Sequence, residues 1–244
     1  MVLIQLFVNG LLYGGLLAVA ALGLALVFGV MRIVNFAHGE LVTVGAYATW
    51  LIVIVGVSPL LGIPLAFVVG AFIGAAIDRF LITPVTDRSE LDMLMATYGL
   101  SVFLIGVLTQ IFSGDIRSYS EGPSGNLALL GSTLGWRSTV ALLVCLGLVA
   151  ATIAVVRFTN FGIGVRAMAQ NRDAAAACGV NVKASRTLVL AFASGLAGCA
   201  GALVSLVSTV SPSVGQDWLL NSFVVVVLGG MGSIGGTLLA ALLD

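Results

Sequence analysis

Six stretches of this chain carry no charged residue: Met1–Met31, Leu41–Ile77, Met93–Gly114, Ser138–Val156, Thr187–Gln216 and Trp218–Leu243. A helix needs roughly 20 apolar residues to cross the ~30 Å hydrocarbon core of a bilayer, and most of these runs reach that length. Only helices and closed barrels satisfy every backbone polar group in lipid, and the runs lack the alternating polarity of barrel strands. The chain therefore reads as all-α: a polytopic integral membrane helix bundle with about seven to eight transmembrane segments. Its charged content of 8%, against about 25% in a soluble domain, leaves too little polar surface to cover such a core in water.

Leu41–Ile77 is too long for one span, and Ser58, Pro59 and Pro64 favour a turn within it. The pattern predicts spans over about 4–30, 40–57, 61–82, 93–113, 138–157, 187–209 and 219–236, with an eighth beginning near Thr237. The N-terminus lacks the basic start and small-residue cleavage site of a secretory signal peptide, so the first run reads as a retained span. The last run stops at Asp244 after too few residues to cross, and the expectation is that the natural sequence continues.

Alternating these spans sorts the basic residues. Arg32, Arg79, Arg88, Arg157, Arg166, Arg172, Lys183 and Arg186 fall on one side, and Arg117 and Arg137 on the other. Positive charge marks the cytoplasmic side. The N-terminus, the 114–136 loop and Ser208–Trp218 are then expected outside. Half of the basic residues lie between Arg157 and Arg186, in a polar loop between two apolar runs. Such a loop reads as a docking surface for a cytosolic partner, or else as a solvated connection. Within it Arg166, Gln170 and Asp173 share one face of an expected helix, Ala174–Ala177 favours helix, and Gly179 supplies a stop.

Two further clusters interrupt the apolar pattern. Residues 32–40, RIVNFAHGE, hold the only histidine, His38, with Asn35, Gly39 and Glu40. At membrane depth these polar groups must face protein or a water-filled path; at the surface they form a turn between two spans. Residues 229–236, GGMGSIGG, pack five glycines into eight positions. They read either as a broken helix lining a cavity or as a tight turn. Small residues also recur four apart, as at Gly10/Gly14, Gly70/Gly74 and Ser194/Gly198/Ala202, a spacing that lets helix backbones approach closely in lipid. Cys145, Cys178 and Cys199 fit no metal-ligand spacing, and Cys145 and Cys199, inside apolar runs, read as packing residues. No metal site, catalytic group or nucleic-acid-binding patch is expected.

Three segments together resemble the LivH-type permease family, the membrane subunits of ATP-driven importers for branched-chain amino acids. They are ALGLALVFGVMRIVNFAHGELVTVGAY, GIGVRAMAQNRDAAAACGVNV and VVVLGGMGSIGGTLLAAL, in that order, with ATYGLS at 96–101 also family-like. The resemblance covers the chain from about Asn9 onward. It implies a single permease domain over 1–244, with a cytoplasmic coupling loop at 158–186. It implies that Gly162, Arg166, Ala167, Gln170, Asn171, Ala175 and Gly179 dock on an ATP-hydrolysing subunit. It also implies that Asn35, His38, Gly39, Glu40, Gly229, Gly230, Gly232 and Ser233 lie at or near the translocation path. Implied partners are two cytoplasmic ATPase subunits, a second permease subunit (a related paralogue or a like copy), a periplasmic substrate-binding protein and the lipid of a bacterial-type inner membrane. The chain has no phosphate-cradling loop, so it is expected to bind no cofactor itself, with ATP held by the partners.

Other classes fit fewer of these residues. Similar permeases serve urea or short amides. A secondary transporter or channel would need mid-span carboxylates for a coupling ion, whereas the acidic residues here lie at run ends. A membrane hydrolase is suggested only by Gly122-Pro123-Ser124-Gly125, far in sequence from His38, the one available base.

Overall fold

In the computed structural model the described residues are 2–32, 34–86, 88–119, 126–129 and 132–243. They form a helical bundle with one small hairpin. Helix α1 spans Val2–Met31 and α2 spans His38–Ile54. Helix α3, Pro59–Ile77, continues through a π-helical turn, Asp78–Ile82, into the short α4, Thr83–Val85. Helix α5 spans Glu90–Phe112. Strands β1, Asn126–Leu129, and β2, Ser132–Gly135, pair antiparallel with Asn126 opposite Gly135. Then follow α6, Trp136–Phe158, α7, Asn160–Gln170, α8, Arg172–Ala177, and α9, Val182–Val207. Helices α10, Val214–Leu228, and α11, Ile234–Leu243, close the chain.

Among the described residues five helices are long and apolar enough to cross a membrane, and three shorter apolar helices, α2, α10 and α11, accompany them. The first five expected spans agree with the observed helices to within a few residues. The sixth begins at Val182 rather than near 187, because Asn181 caps the helix by accepting a hydrogen bond from Ala184 N at 3.0 Å. The run expected at 219–236 does not continue as one helix. It breaks after Leu228, and Gly230 and Gly232 adopt φ of +86° and +89°, which only glycine takes without strain.

Helices α1 and α9 form the centre. In each, 78% of the most apolar window is buried, against 22–28% for α3, α5 and α6, whose outer faces the bundle leaves uncovered. The centre is assembled by close backbone approach. A Cβ on Gly198 would overlap the Ala66 carbonyl of α3, and one on Gly45 would overlap Gly198 from α2. Gly70 and Gly74 of α3 meet Ser194 of α9 in the same way. The small-residue spacing at 70/74 and 194/198 thus marks a real seam. Of the pair Gly10/Gly14 only Gly14 packs, against Ala241 of α11; a Cβ on Gly10 would meet nothing within 4 Å among the described residues. In lipid such contacts matter because van der Waals packing replaces the hydrophobic drive between helices.

The Gly122–Gly125 string lies outside the described residues, as do Glu121 and Asp244.

Candidate functional site

The chain reverses sharply after α1. Arg32 takes a left-handed conformation, φ +53°, while its N–H still bonds Phe28 O at 2.8 Å. The backbone then climbs back into the bundle before α2 begins. His38 Nε2 pairs with Ala20 O at 3.1 Å, a carbonyl roughly 16 Å short of the end of α1 at 1.5 Å per residue. Asn35, His38 and Glu40 are each no more than 1% exposed. The structure therefore sets these polar residues inside the bundle and not in a solvated turn.

Their partners are few. Asn35 Oδ1 accepts from Ala37 N at 3.1 Å, and Glu40 Oε1 accepts from Ser101 Oγ of α5 at 3.1 Å. Asn35 Nδ2, His38 Nδ1 and Glu40 Oε2 are buried without a hydrogen-bond partner among the described residues. Leaving such groups unsatisfied costs roughly 1–3 kcal/mol each. Gly39 lies against Gly215 at the start of α10, where a Cβ would strike the Gly215 carbonyl. Gly215 N in turn donates to Thr43 Oγ1 at 3.0 Å.

The glycine cluster sits elsewhere. Gly232 packs on Gly29, near the end of α1, and Gly229 lies against Gly236. Gly230, Gly232 and Ser233 are exposed, and Ser233 N closes the turn on Gly230 O at 2.9 Å. This is a tight α10–α11 turn at the end of the bundle that carries the polar loop. The structure does not bring it together with His38 and Glu40.

The polar loop is two helices, not one. Helix α7 is capped by Thr159, whose Oγ1 accepts from Gly162 N at 3.1 Å. It buries Gly162, Gly164, Val165 and Met168 and exposes Arg166 and Gln170. At Asn171 the backbone becomes extended, φ −156°, and the Asn171 side chain caps α8 by accepting from Asp173 N and Ala174 N, both at 3.0 Å. The expectation that Arg166, Gln170 and Asp173 share one helical face is therefore overturned: an Asx cap between them offers the backbone a better local hydrogen bond than helix continuation. Helix α8 ends as expected. Gly179 stands at φ +88°, with Gly179 N bonded to Ala176 O and Val180 N to Ala175 O, both at 3.0 Å.

The loop residues expected to dock divide by exposure. Gln170, Asn171 and Gly179 are exposed and contiguous with Arg172 to Ala174, while Ala167 is half-buried. Gly162 and Ala175 are buried and have packing roles; Gly162 allows α7 to fold onto the Val156 carbonyl. Arg166 is exposed but ties back to Val156 O.

One constellation escaped sequence reasoning. Arg186, in the first turns of α9, donates from Nε to Asp78 Oδ1 at 2.9 Å, from Nη1 to Thr86 Oγ1 at 2.7 Å and from Nη2 to Thr83 Oγ1 at 2.5 Å. Thr187 Oγ1 donates to the other Asp78 oxygen. The pair fastens the polar loop's exit to the end of α3. The only sequence signal was an acid and a base each at the edge of an apolar run.

At the opposite end Arg117 and Val210 exchange two backbone hydrogen bonds of 2.8 Å, and Tyr119 Oη lies 3.1 Å from Ser205 Oγ. Burial pushes the Tyr119 phenol above its usual range, against smaller opposing effects of Ser205 and Arg137, so it stays neutral at physiological pH. Arg117 and Arg137 thus lie at the end away from Arg166, Arg172 and Arg186, in the grouping that the alternation of spans requires.

The sequence is similar to those of known transporter components. The sequence family described as branched-chain amino acid transport system / permease component matches residues 6–243. The probable branched-chain amino acid transport permease protein LivH of Methanocaldococcus jannaschii is 30% identical over 95% of this chain and 75% of its own length. The high-affinity branched-chain amino acid transport system permease protein LivH of Salmonella typhimurium is 27% identical over 98% of this chain and 83% of its own length. The probable permease protein LivM of Methanocaldococcus jannaschii is 26% identical over 95% and 77%.

Proposed function

Because the chain belongs to the family of branched-chain amino acid transport permease components, we propose that it is the membrane-spanning permease subunit of an ATP-driven importer. Its cargo is a branched-chain or related small amino acid delivered by a substrate-binding protein outside the membrane. ATP hydrolysis belongs to separate subunits. A second permease chain, a LivM-like paralogue or a like copy, completes the membrane unit. The membrane is a bacterial-type inner membrane, with the 158–186 loop in the cytoplasm, in line with the excess of positive charge at that end.

The observation that carries this reading is the α7–α8 elbow. Gln170 to Ala174 are exposed at the end of the bundle, and both helices carry side-chain N-caps. A partner pushing on this elbow moves α9 directly, since α8 and α9 are separated only by residues 178–181. Because α9 forms the seam with α2 and α3, a shift of α9 bears on the segment that holds His38 and Glu40. The unpartnered polar atoms there suit a path that opens to water or substrate in another state of the transport cycle.

The test is uptake of radiolabelled leucine by cells producing this chain together with ATPase, second-permease and binding-protein subunits of an importer of this family. Uptake should need all components and stop when ATP is depleted with the ion gradient intact. Uptake that survives ATP depletion would instead identify a secondary transporter.

A further inference from the structure

We propose that the groove where α6, α7 and α11 meet binds the phosphate headgroup of an anionic phospholipid. The groove encloses about 520 Å³ and is lined by Ile153, Val156, Arg157, Arg166 and Ile234. Three apolar side chains and two guanidinium groups thus share one recess.

Its position fits a lipid. Arg157 stands in the last turn of α6, a span whose apolar window is only 22% buried. Leu143, Leu146 and Ile153 on that helix are exposed, as is Phe158 beside Arg157. The recess therefore opens toward lipid at the level where hydrocarbon gives way to headgroups. The apolar residues accept acyl chain, and the arginines stand at phosphate height.

Charge selects the headgroup. Among the described residues the ion pairs are Arg117 with Asp115 and Arg186 with Asp78, so neither Arg157 nor Arg166 has a carboxylate partner. Arg166 uses one donor on Val156 O, and the Arg157 guanidinium lies over the Phe158 ring at 5.7 Å. A guanidinium carries five donors, so most remain available, and its planar fork matches a phosphate. Two like charges lining one recess repel each other unless an anion lies between them. Basic pockets between transmembrane helices on the cytoplasmic side take anionic headgroups for this reason.

The consequence is mechanical. Arg166 belongs to α7 and Arg157 to α6, so a bound phosphate clamps the first helix of the elbow to the end of a span. The inference rests on the membrane placement of the chain and not on the identity of the cargo.

The experiment is native mass spectrometry of the chain, extracted with its co-purifying subunits, after exchange into mixed phosphatidylglycerol and phosphatidylcholine. Wild-type protein should retain phosphatidylglycerol in preference to phosphatidylcholine. Arg157→Gln should weaken that preference about fivefold, the effect of one basic residue near an anionic surface, while Arg157→Lys, which keeps the charge and loses the fork, should fall between the two. Equal retention of the two lipids, or a preference unchanged in an Arg157→Gln, Arg166→Gln double variant, overturns the proposal. So does displacement by millimolar-range inorganic phosphate, which would identify a soluble anion as the occupant. A photocrosslinker at Ile153 should capture lipid; capture of a partner subunit there would show that protein covers the groove.

Discussion

Asp78 and Arg186 meet at 2.9 Å inside the bundle although 108 residues separate them in the sequence. Their side chains are 2% and 7% exposed. A buried pair is a weak net stabiliser, but removing one member strands the other charge at a cost of about 3–5 kcal/mol. Asp78→Ala and Arg186→Ala should therefore each lower the thermal stability of the detergent-extracted protein sharply. The double variant should lose less than the sum of the two. Fluorescence-detected size exclusion after heating gives the comparison, and strictly additive losses would mean that the two groups do not act as a pair.

The α2–α3–α9 seam should tolerate no added bulk. Gly198→Val places side-chain atoms against Ala66 O, and overpacking of this kind costs roughly 1–3 kcal/mol or more. Gly106→Ala is the control: nothing lies within 4 Å of its Cβ position, and alanine favours helix by about 1 kcal/mol. Folded yield should fall in the first variant and hold or rise in the second.

Asn171→Ala removes the cap of α8. Loss of an N-cap costs about 1 kcal/mol, small against the whole fold but concentrated on a two-helix elbow. Membrane levels should match wild type while leucine uptake drops. Asn171→Asp keeps the acceptor and should restore uptake. Equal uptake in all three proteins would remove the elbow from the coupling route.

Cys178 is exposed on the elbow, whereas Cys145 and Cys199 are buried. A membrane-impermeant maleimide should label a single cysteine, and only from the cytoplasmic face of inverted vesicles. Cys178→Ser should abolish the signal. Labelling of intact cells from outside would reverse the proposed orientation.

Glu40→Gln keeps an acceptor for Ser101 and removes the charge. If the buried cluster lines the path, uptake should fall with assembly unchanged. The Ser101 bond is kept but becomes a neutral one, a weakening of about 1 kcal/mol or roughly fivefold in rate. Wild-type uptake in this variant would make Glu40 a packing residue alone.

Much of this architecture was readable in one dimension. Runs such as Ser138–Val156 announce lipid as their solvent, because no water-soluble fold hides so much apolar surface and backbone satisfaction then forces helix. Gly179 and the Ala174–Ala177 run signalled the end and body of α8 through local preferences that need no distant partner. The break at Asn171 was less legible, since an Asx cap competes with helix continuation by a margin too small to read from propensity. Whether Asn35, His38 and Glu40 stood in water or in the bundle could not be decided along the chain. That depends on how far the backbone climbs after Arg32, and His38 finds its partner at Ala20, in the middle of another helix. Gly229 to Gly236 posed the same ambiguity and resolved the other way, onto Gly29 at a helix end. Hydrophobicity and local propensity are properties of neighbours in sequence, so they determine solvent, helix and turn. Pairings such as Asp78 with Arg186, or Gly45 with Gly198, depend on which backbones approach in space, and only the tertiary structure decides those.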